Sequence, residues 1–298
     1  MPKKINPAGL PVKKNKKLVP PLPRSELDAI ANALPRPSIT ADRDEKKNYA
    51  QRLSNEVARF VAHRLRGFGA TNAVPDETGG AERRFAGGIG DKKVDVSLGT
   101  VEHGLILSIG IKSINFPDAK TKNYQKNLTN RRGDMLAEAT TLHQRFPYAV
   151  IGGLFLFEEG AEKDGTPQRL STFRTAHQMF KSFGNRPSRS DAVENYEVLG
   201  VVLYNGNAPY SFRYFDAGTP DVEQPLDSFF FRLLEIVAQR NPDTYRFFQN
   251  RLVRAGGGTS NDTGPSLFDV IDKLEDEADS DSDENLNGGY GVIPAPES

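Results

Sequence analysis

The sequence predicts an α/β fold in which a mixed sheet is flanked by helices. Three observations carry that prediction. Residues 82–114 read as three short strands joined by tight turns. A stretch with helical periodicity stands on each side of them. Residues 149–157, AVIGGLFLF, form a nearly continuous apolar run, as expected of a strand covered on both faces.

Taken in order, residues 1–24 carry lysines, prolines and one arginine but no acid. That composition predicts a disordered basic arm, the kind of segment that meets nucleic acid or is simply solvated. Residues 25–34 predict a short helix with Ser25 as its N-cap, ended by Pro35 and Pro37. A long helix is expected over 42–66, where Tyr49, Leu53, Val57, Phe60, Val61 and Leu65 recur at three- and four-residue spacing. Glu56 lies at the edge of that stripe, and its bland role is a pair with Arg52 or Arg59.

The three strands are placed at 82–88, 92–98 and 104–114. In the third, Leu105, Leu107, Ile109 and Ile111 alternate with Ile106, Ser108, Gly110 and Lys112. Pairing the second and third strands through a turn at 99–104 brings Asp95 and Lys112 onto one face. The bland reading of the two is a cross-strand salt bridge. GGIGD at 87–91 is a turn rather than a phosphate loop, which needs a following Lys and Ser or Thr on a helix.

The polar stretch after the third strand contains Lys120, Lys122, Lys126, Arg131 and Arg132 within a dozen or so residues. Such residues make phosphate contacts, and a solvated basic loop is the alternative. Thr129, Asn130 and the open amides of the next helix are a further place for one phosphate. That helix is expected over 130–145, with Met135, Leu136, Ala139 and Leu142 inward. Further on, helices are expected at 171–183 and 225–239 and strands at 196–204 and 210–215. Residues 243–254 read as another helix. Phe229, Phe230 and Phe231 suit the core, with a dimer contact as the alternative. One domain over 25–255 is expected, because no linker interrupts it, and 256–298 reads as a disordered, acidic tail.

Formal net charge is zero, and no cysteine is present, which excludes disulfides and thiolate metal sites. No apolar run approaches the roughly 20 residues that span a bilayer. No apolar stretch follows the charged N-terminus, so a secretory signal is not expected. A cytoplasmic location without membrane contact is the reading. His103, His143 and His177 show no ligand spacing to one another.

The order helix–strand–strand–strand–helix–strand over residues 42–157, with Asp95 in VDVSL and Lys112 in GIK, resembles the PD-(D/E)XK nuclease superfamily, to which many restriction endonucleases belong. The resemblance implies a restriction-endonuclease-like αβββαβ core with a C-terminal α/β extension. It implies a magnesium-dependent DNA endonuclease of restriction or phage-defence type, with manganese as a substitute ion. It implies work as a homodimer or with a partner subunit of a defence system. Asp95, the Ile111 carbonyl and a second acid would hold the metal, and Lys112 would hold and help deprotonate the attacking water. The family's second acid falls at Gly110 here, so an acid must arrive from elsewhere. Glu56 is the expected one, and Glu138 is the other candidate, its bland role being to balance Arg131 or Arg145. The competing reading is a non-catalytic nucleic-acid-binding or assembly protein whose nuclease fold has lost its acid at position 110.

Overall fold

A computed structural model describes residues 20–77, 83–86 and 91–255. The basic arm up to residue 19, the acidic tail from 256 and most of the 87–91 turn lie outside these. The chain runs α1 (Glu26–Asn32), α2 (Arg43–Gly67), β1 (Arg83–Ala86), β2 (Asp91–Val94), β3 (Val96–Thr100), β4 (Gly104–Ile114) and α3 (Leu128–Arg145). It continues with β5 (Val150–Glu158), α4 (Gly160–Lys163), α5 (Thr172–Phe180), β6 (Val198–Asn205), β7 (Ser211–Asp216) and β8 (Glu223–Gln224). The last elements are α6 (Asp227–Arg240), β9 (Tyr245–Phe248) and β10 (Arg251–Arg254).

The main sheet has six strands in the order β3-β4-β5-β6-β7-β8. Its centre, β4-β5-β6, is parallel, and its outer pairings are antiparallel. This is the mixed sheet the sequence predicts. Two helical layers cover it. Helix α2 begins where Asp42 accepts the Glu45 amide at 2.8 Å, an N-cap that satisfies one orphan donor of the first turn. Its stripe of Leu53, Val57, Phe60, Val61 and Leu65 is fully or almost fully buried with Leu107, Ile109 and Ile111 of β4 and with α6. Each such side chain contributes about 1.5–3 kcal/mol by leaving water. On the opposite face, Met135, Ala139 and Leu142 of α3 pack with Ile151, Phe155 and Phe157 of β5 and with α5. Phe229 and Phe230 of α6 are fully buried in the core, and Phe231 packs edge-on against Phe68 at 4.9 Å. No helix among the described residues is long and apolar enough to cross a membrane.

Three departures from the sequence expectation have physical causes. The expected second strand is broken at Asp95: β2 pairs with β1 in a separate ribbon, while β3 joins the main sheet. The Asp95 carboxylate takes the Ile111 amide at 2.6 Å, so a side chain replaces the ladder at that step. Second, the β3–β4 register slips between Leu98 and Gly99, skipping Ile106. This bulge inverts the alternation, so Ile106 joins the α2 side and Leu105 the α3 side. Third, residues 243–254 form no helix. Gln249 and Asn250 adopt left-handed φ values of 48° and 58°, which turn β9 back into β10 as a hairpin.

Candidate active site

Helix α3 directly follows β4 and crosses back over it, so the inward face of α3 lies above the C-terminal half of β4. Glu138 occupies that face, spaced with Met135, Ala139 and Leu142, and is 2% exposed. Lys112, on the same face of β4, reaches up to it: Nζ to Glu138 Oε2 is 2.9 Å. Asp95 arrives from the strand break, with Oδ2 at 3.9 Å from the same ammonium. Two carboxylates from different elements therefore share one lysine.

The electrostatics of this trio favour a charged lysine. Burial opposes the Lys112 charge, but Glu138 and Asp95 together outweigh it and raise its pKa above the ordinary lysine value. In this state Lys112 is a hydrogen-bond donor and a fixed positive charge, with no capacity to accept a proton.

Gly110 explains how Glu138 fits. A Cβ at position 110 would sit 2.5 Å from Glu138 Oε1 and 3.3 Å from its carboxyl carbon. The space a side chain at 110 would fill is the space the Glu138 carboxylate occupies. That same Oε1 is buried and has no hydrogen-bond partner in the structure. Leaving an acceptor oxygen buried and unpaired costs about 1–3 kcal/mol, even where a cation holds the other oxygen.

The trio opens into a cleft of about 480 Å³. Its walls include Lys47, Gln51 and Ser54 of α2, Lys92 and Lys93 of β2, and Arg131 and Asp134 of α3. Among the described residues no cluster of three or more His, Cys, Asp or Glu forms a ready metal cage. Two carboxylates, one with an unsatisfied oxygen, beside the main chain of Ile111 are nevertheless a fitting partial set for a hard cation that keeps several waters.

The sequence-predicted residues divide clearly. Asp95, Ile111 and Lys112 come together. Glu56 does not join them. Its oxygens take Arg59 Nη1 at 3.1 and 2.8 Å, and Asn32 Nδ2 donates to it at 3.1 Å. The face of α2 that lines the cleft carries Lys47, Ala50, Gln51 and Ser54. Glu56, two residues past Ser54, is rotated about 200° from it. The acid that stands beside Lys112 is Glu138, and neither Arg131 nor Arg145 is its partner.

Of the five expected phosphate-binding residues, Arg131 lines the cleft and pairs with Asp134 at 3.4 Å. Lys120 and Lys122 are exposed on the loop before α3. Lys126 is bound to Asp118 at 2.5 Å, and that contact holds the Asp118 carboxyl well below the usual carboxylate range. Arg132 instead faces the Phe183 ring, 5.8 Å from its centroid. Lys47, Lys92 and Lys93 are the cleft cations the sequence reading missed. Lys92 and Lys93 were visible as the pair immediately before VDV.

Compared with protein-family models, curated proteins and solved structures, the chain has no match.

Proposed function

We propose that this chain is a divalent-metal-dependent endonuclease that hydrolyses phosphodiester bonds of DNA. Its site is Asp95, Lys112 and Glu138, with Glu138 in the role first assigned to Glu56. The observation that carries the reading is the exchange at position 110: the chain lacks a side chain there, and a buried carboxylate from α3 fills the vacated space with one oxygen unsatisfied. The reading is supported by the two together, the missing side chain at 110 and the carboxylate oxygen beside it. The surrounding charge agrees, since five basic residues against three acidic ones line the cleft, which suits a polyanion.

Asp95, Glu138 and the main chain of Ile111 would hold magnesium or manganese. Bound there, the ion would supply charge neutralisation at the phosphate and a water of lowered pKa. The residues themselves do the positioning. Lys112 donates from its ammonium to the attacking water or to a non-bridging phosphate oxygen, and its charge offsets what accumulates there in the transition state. Water oxygen bonds to phosphorus and gives up one proton to solvent, the bond from phosphorus to one sugar oxygen breaks, and that oxygen leaves with a proton from solvent. Lys47, Lys92, Lys93 and Arg131 grip flanking phosphates without reading sequence.

The test is cleavage of plasmid DNA by purified protein in magnesium, manganese or EDTA. Metal-dependent cutting is expected in the wild type. It should fall by ~10²-fold or more in Lys112→Ala and Glu138→Gln, and persist in Glu56→Gln, whose carboxylate serves Arg59. Cutting by Glu138→Gln at the wild-type rate would remove Glu138 from the site. DNA binding without cutting in either metal would favour the non-catalytic reading.

A further inference from the structure

The β9–β10 hairpin is a feature the cleft does not use. Between Thr244 and Ala255 the chain carries Arg246, Arg251 and Arg254 and no acid. The inner face is a dock: Tyr245 and Leu252 are buried, and Phe247 packs 6.3 Å from Phe231 of α6. The base is tied down by Leu252 N donating to Phe68 O at 2.8 Å and Ala255 N to Thr244 O at 2.9 Å. Gly69, with φ 96°, makes the dock possible, because a Cβ there would lie 2.1 Å from the Leu252 carbonyl oxygen.

The outer face is quite different. Register pairs Arg246 with Val253 and Phe248 with Arg251. All four are exposed, Phe248 at 63%. The tip is Gln249 and Asn250, both exposed and fixed in a left-handed turn. A rigid ribbon thus presents two arginines, two amides and an aromatic ring, with the rings and buried residues beneath holding it in place.

We propose that this outer face is a duplex-DNA-binding ribbon, separate from the cleft that would do the chemistry; the proposal rests on the nuclease reading for its choice of polyanion. A two-stranded ribbon fits the ~12 Å major groove of B-DNA. Arginine matches phosphate or guanine in a bidentate way, glutamine and asparagine match adenine, and an aromatic ring meets the thymine methyl. A second copy of the chain is a poorer occupant, because a two-fold contact through this face would bring its arginines against each other. The hairpin base meets His103, whose Nε2 is 3.3 Å from Thr244 Oγ1. Lys112 lies nine residues further along β4, about 30 Å at ~3.3 Å per residue. Ribbon and cleft therefore contact different parts of a substrate.

The experiment is anisotropy of a labelled duplex of ~30 base pairs, longer than that separation at ~3.4 Å per pair. It uses the full chain in EDTA across 50–200 mM salt. Arg246→Ser/Arg251→Ser should weaken binding by about tenfold or more and lower the slope of log K against log salt by about 2, roughly one per lost phosphate contact. Arg246→Lys/Arg251→Lys should keep most of the slope. Thermal unfolding confirms that both variants remain folded, as expected for outward side chains. The proposal is overturned if the double serine variant binds with wild-type affinity and slope. It is equally overturned if the wild type sediments as a dimer that Phe248→Ser splits without changing duplex binding. Plasmid cleavage separates the two readings: a wild type that cuts while the serine variant binds normally sinks the ribbon alone. A ribbon-dependent wild type that never cuts sinks the nuclease alone.

Discussion

Glu197 and Glu138 are both buried carboxylates that meet the α3 side of the same sheet, and their surroundings differ in one respect. Glu197, at the entry to β6, has every oxygen occupied. Oε1 takes Arg186 at 2.9 Å and Arg240 at 2.7 Å, and Oε2 takes the Ile151 amide at 2.6 Å and His143 at 3.3 Å. Glu138 has one oxygen on Lys112 and the other on nothing. Tyr196, buried and bonded to the Met135 carbonyl at 3.0 Å, feels the field of both acids. The same helix therefore carries a partner of a saturated carboxylate, His143, and an unsaturated carboxylate, Glu138. A saturated buried ion joins elements together, as Glu197 does, whereas Glu138 is held on one oxygen alone.

The sharpest way to break this contrast is to neutralise each acid. Glu197→Gln should cost about 3–5 kcal/mol of unfolding free energy, because it strands Arg186 and Arg240 in the interior. Glu138→Gln should cost less, about 1–3 kcal/mol, since Lys112 keeps Asp95 beside it and part of its length in solvent. Urea unfolding of both variants decides it, and equal costs would show Glu138 to be a structural ion like Glu197.

A second variant pair probes position 110. Gly110→Asp should destabilise by about 1–3 kcal/mol through overpacking against the Glu138 carboxylate. Adding Glu138→Ala should relieve the clash and return part of any metal-dependent cutting lost in the single variant. Additive losses in stability and cutting would mean the two positions do not share one space.

Metal sharpens the contrast with a smaller effect. Magnesium or manganese at a hundred times its dissociation constant should stabilise the wild type by about 2.7 kcal/mol. The shift should vanish in Asp95→Ala and Glu138→Gln and remain in Glu56→Gln. A shift that Glu56→Gln removes would restore that residue to the site.

Acid titration should show the saturated cluster by its sign. Burial raises the Glu197 pKa, but His143, Arg240 and the Ile151 amide outweigh it and the net shift is downward. Its stabilisation is thus complete above the unfolded carboxylate value of about 4.3 and drains away as pH falls through the lower folded value. His177 adds an earlier loss. Burial lowers its pKa, so the unfolded chain takes up the proton first and stability declines below about pH 6.5. Stability curves of the wild type and Glu197→Gln should differ in their low-pH limb, and parallel limbs would contradict the assignment.

How far the sequence revealed all this depends on range. Periodicity along one element was legible: the α2 stripe, the apolar β5 run and the Ser25 cap, whose Oγ takes the Asp28 amide at 3.1 Å, all follow from neighbours in the chain. The two candidate acids show where local reasoning fails and what would have helped. Both lie within helical apolar stripes. Glu56 has Arg59 three residues on, so its charge is settled locally. Glu138 has no cation three or four residues away, so its partner had to come from another element. The hairpin was obscured because Tyr245, Phe248 and Leu252 recur at three- and four-residue spacing, as the inward stripe of a helix would, and the choice rests on the backbone at Gln249 and Asn250.

The break at Asp95 makes that residue a hinge pin between two sheets. On one side the chain is ribbon, paired Val94 to Arg83; on the other it is main sheet, paired Val96 to Ile109. Val74 clamps the far edge of β3 at Ser97 with bonds of 2.9 and 3.0 Å, so the sheet side is anchored. The ribbon carries Lys92 and Lys93, and Asp95 follows Lys93 by two residues. One short step of chain thus joins two cationic side chains of one sheet to a carboxylate at the edge of the other.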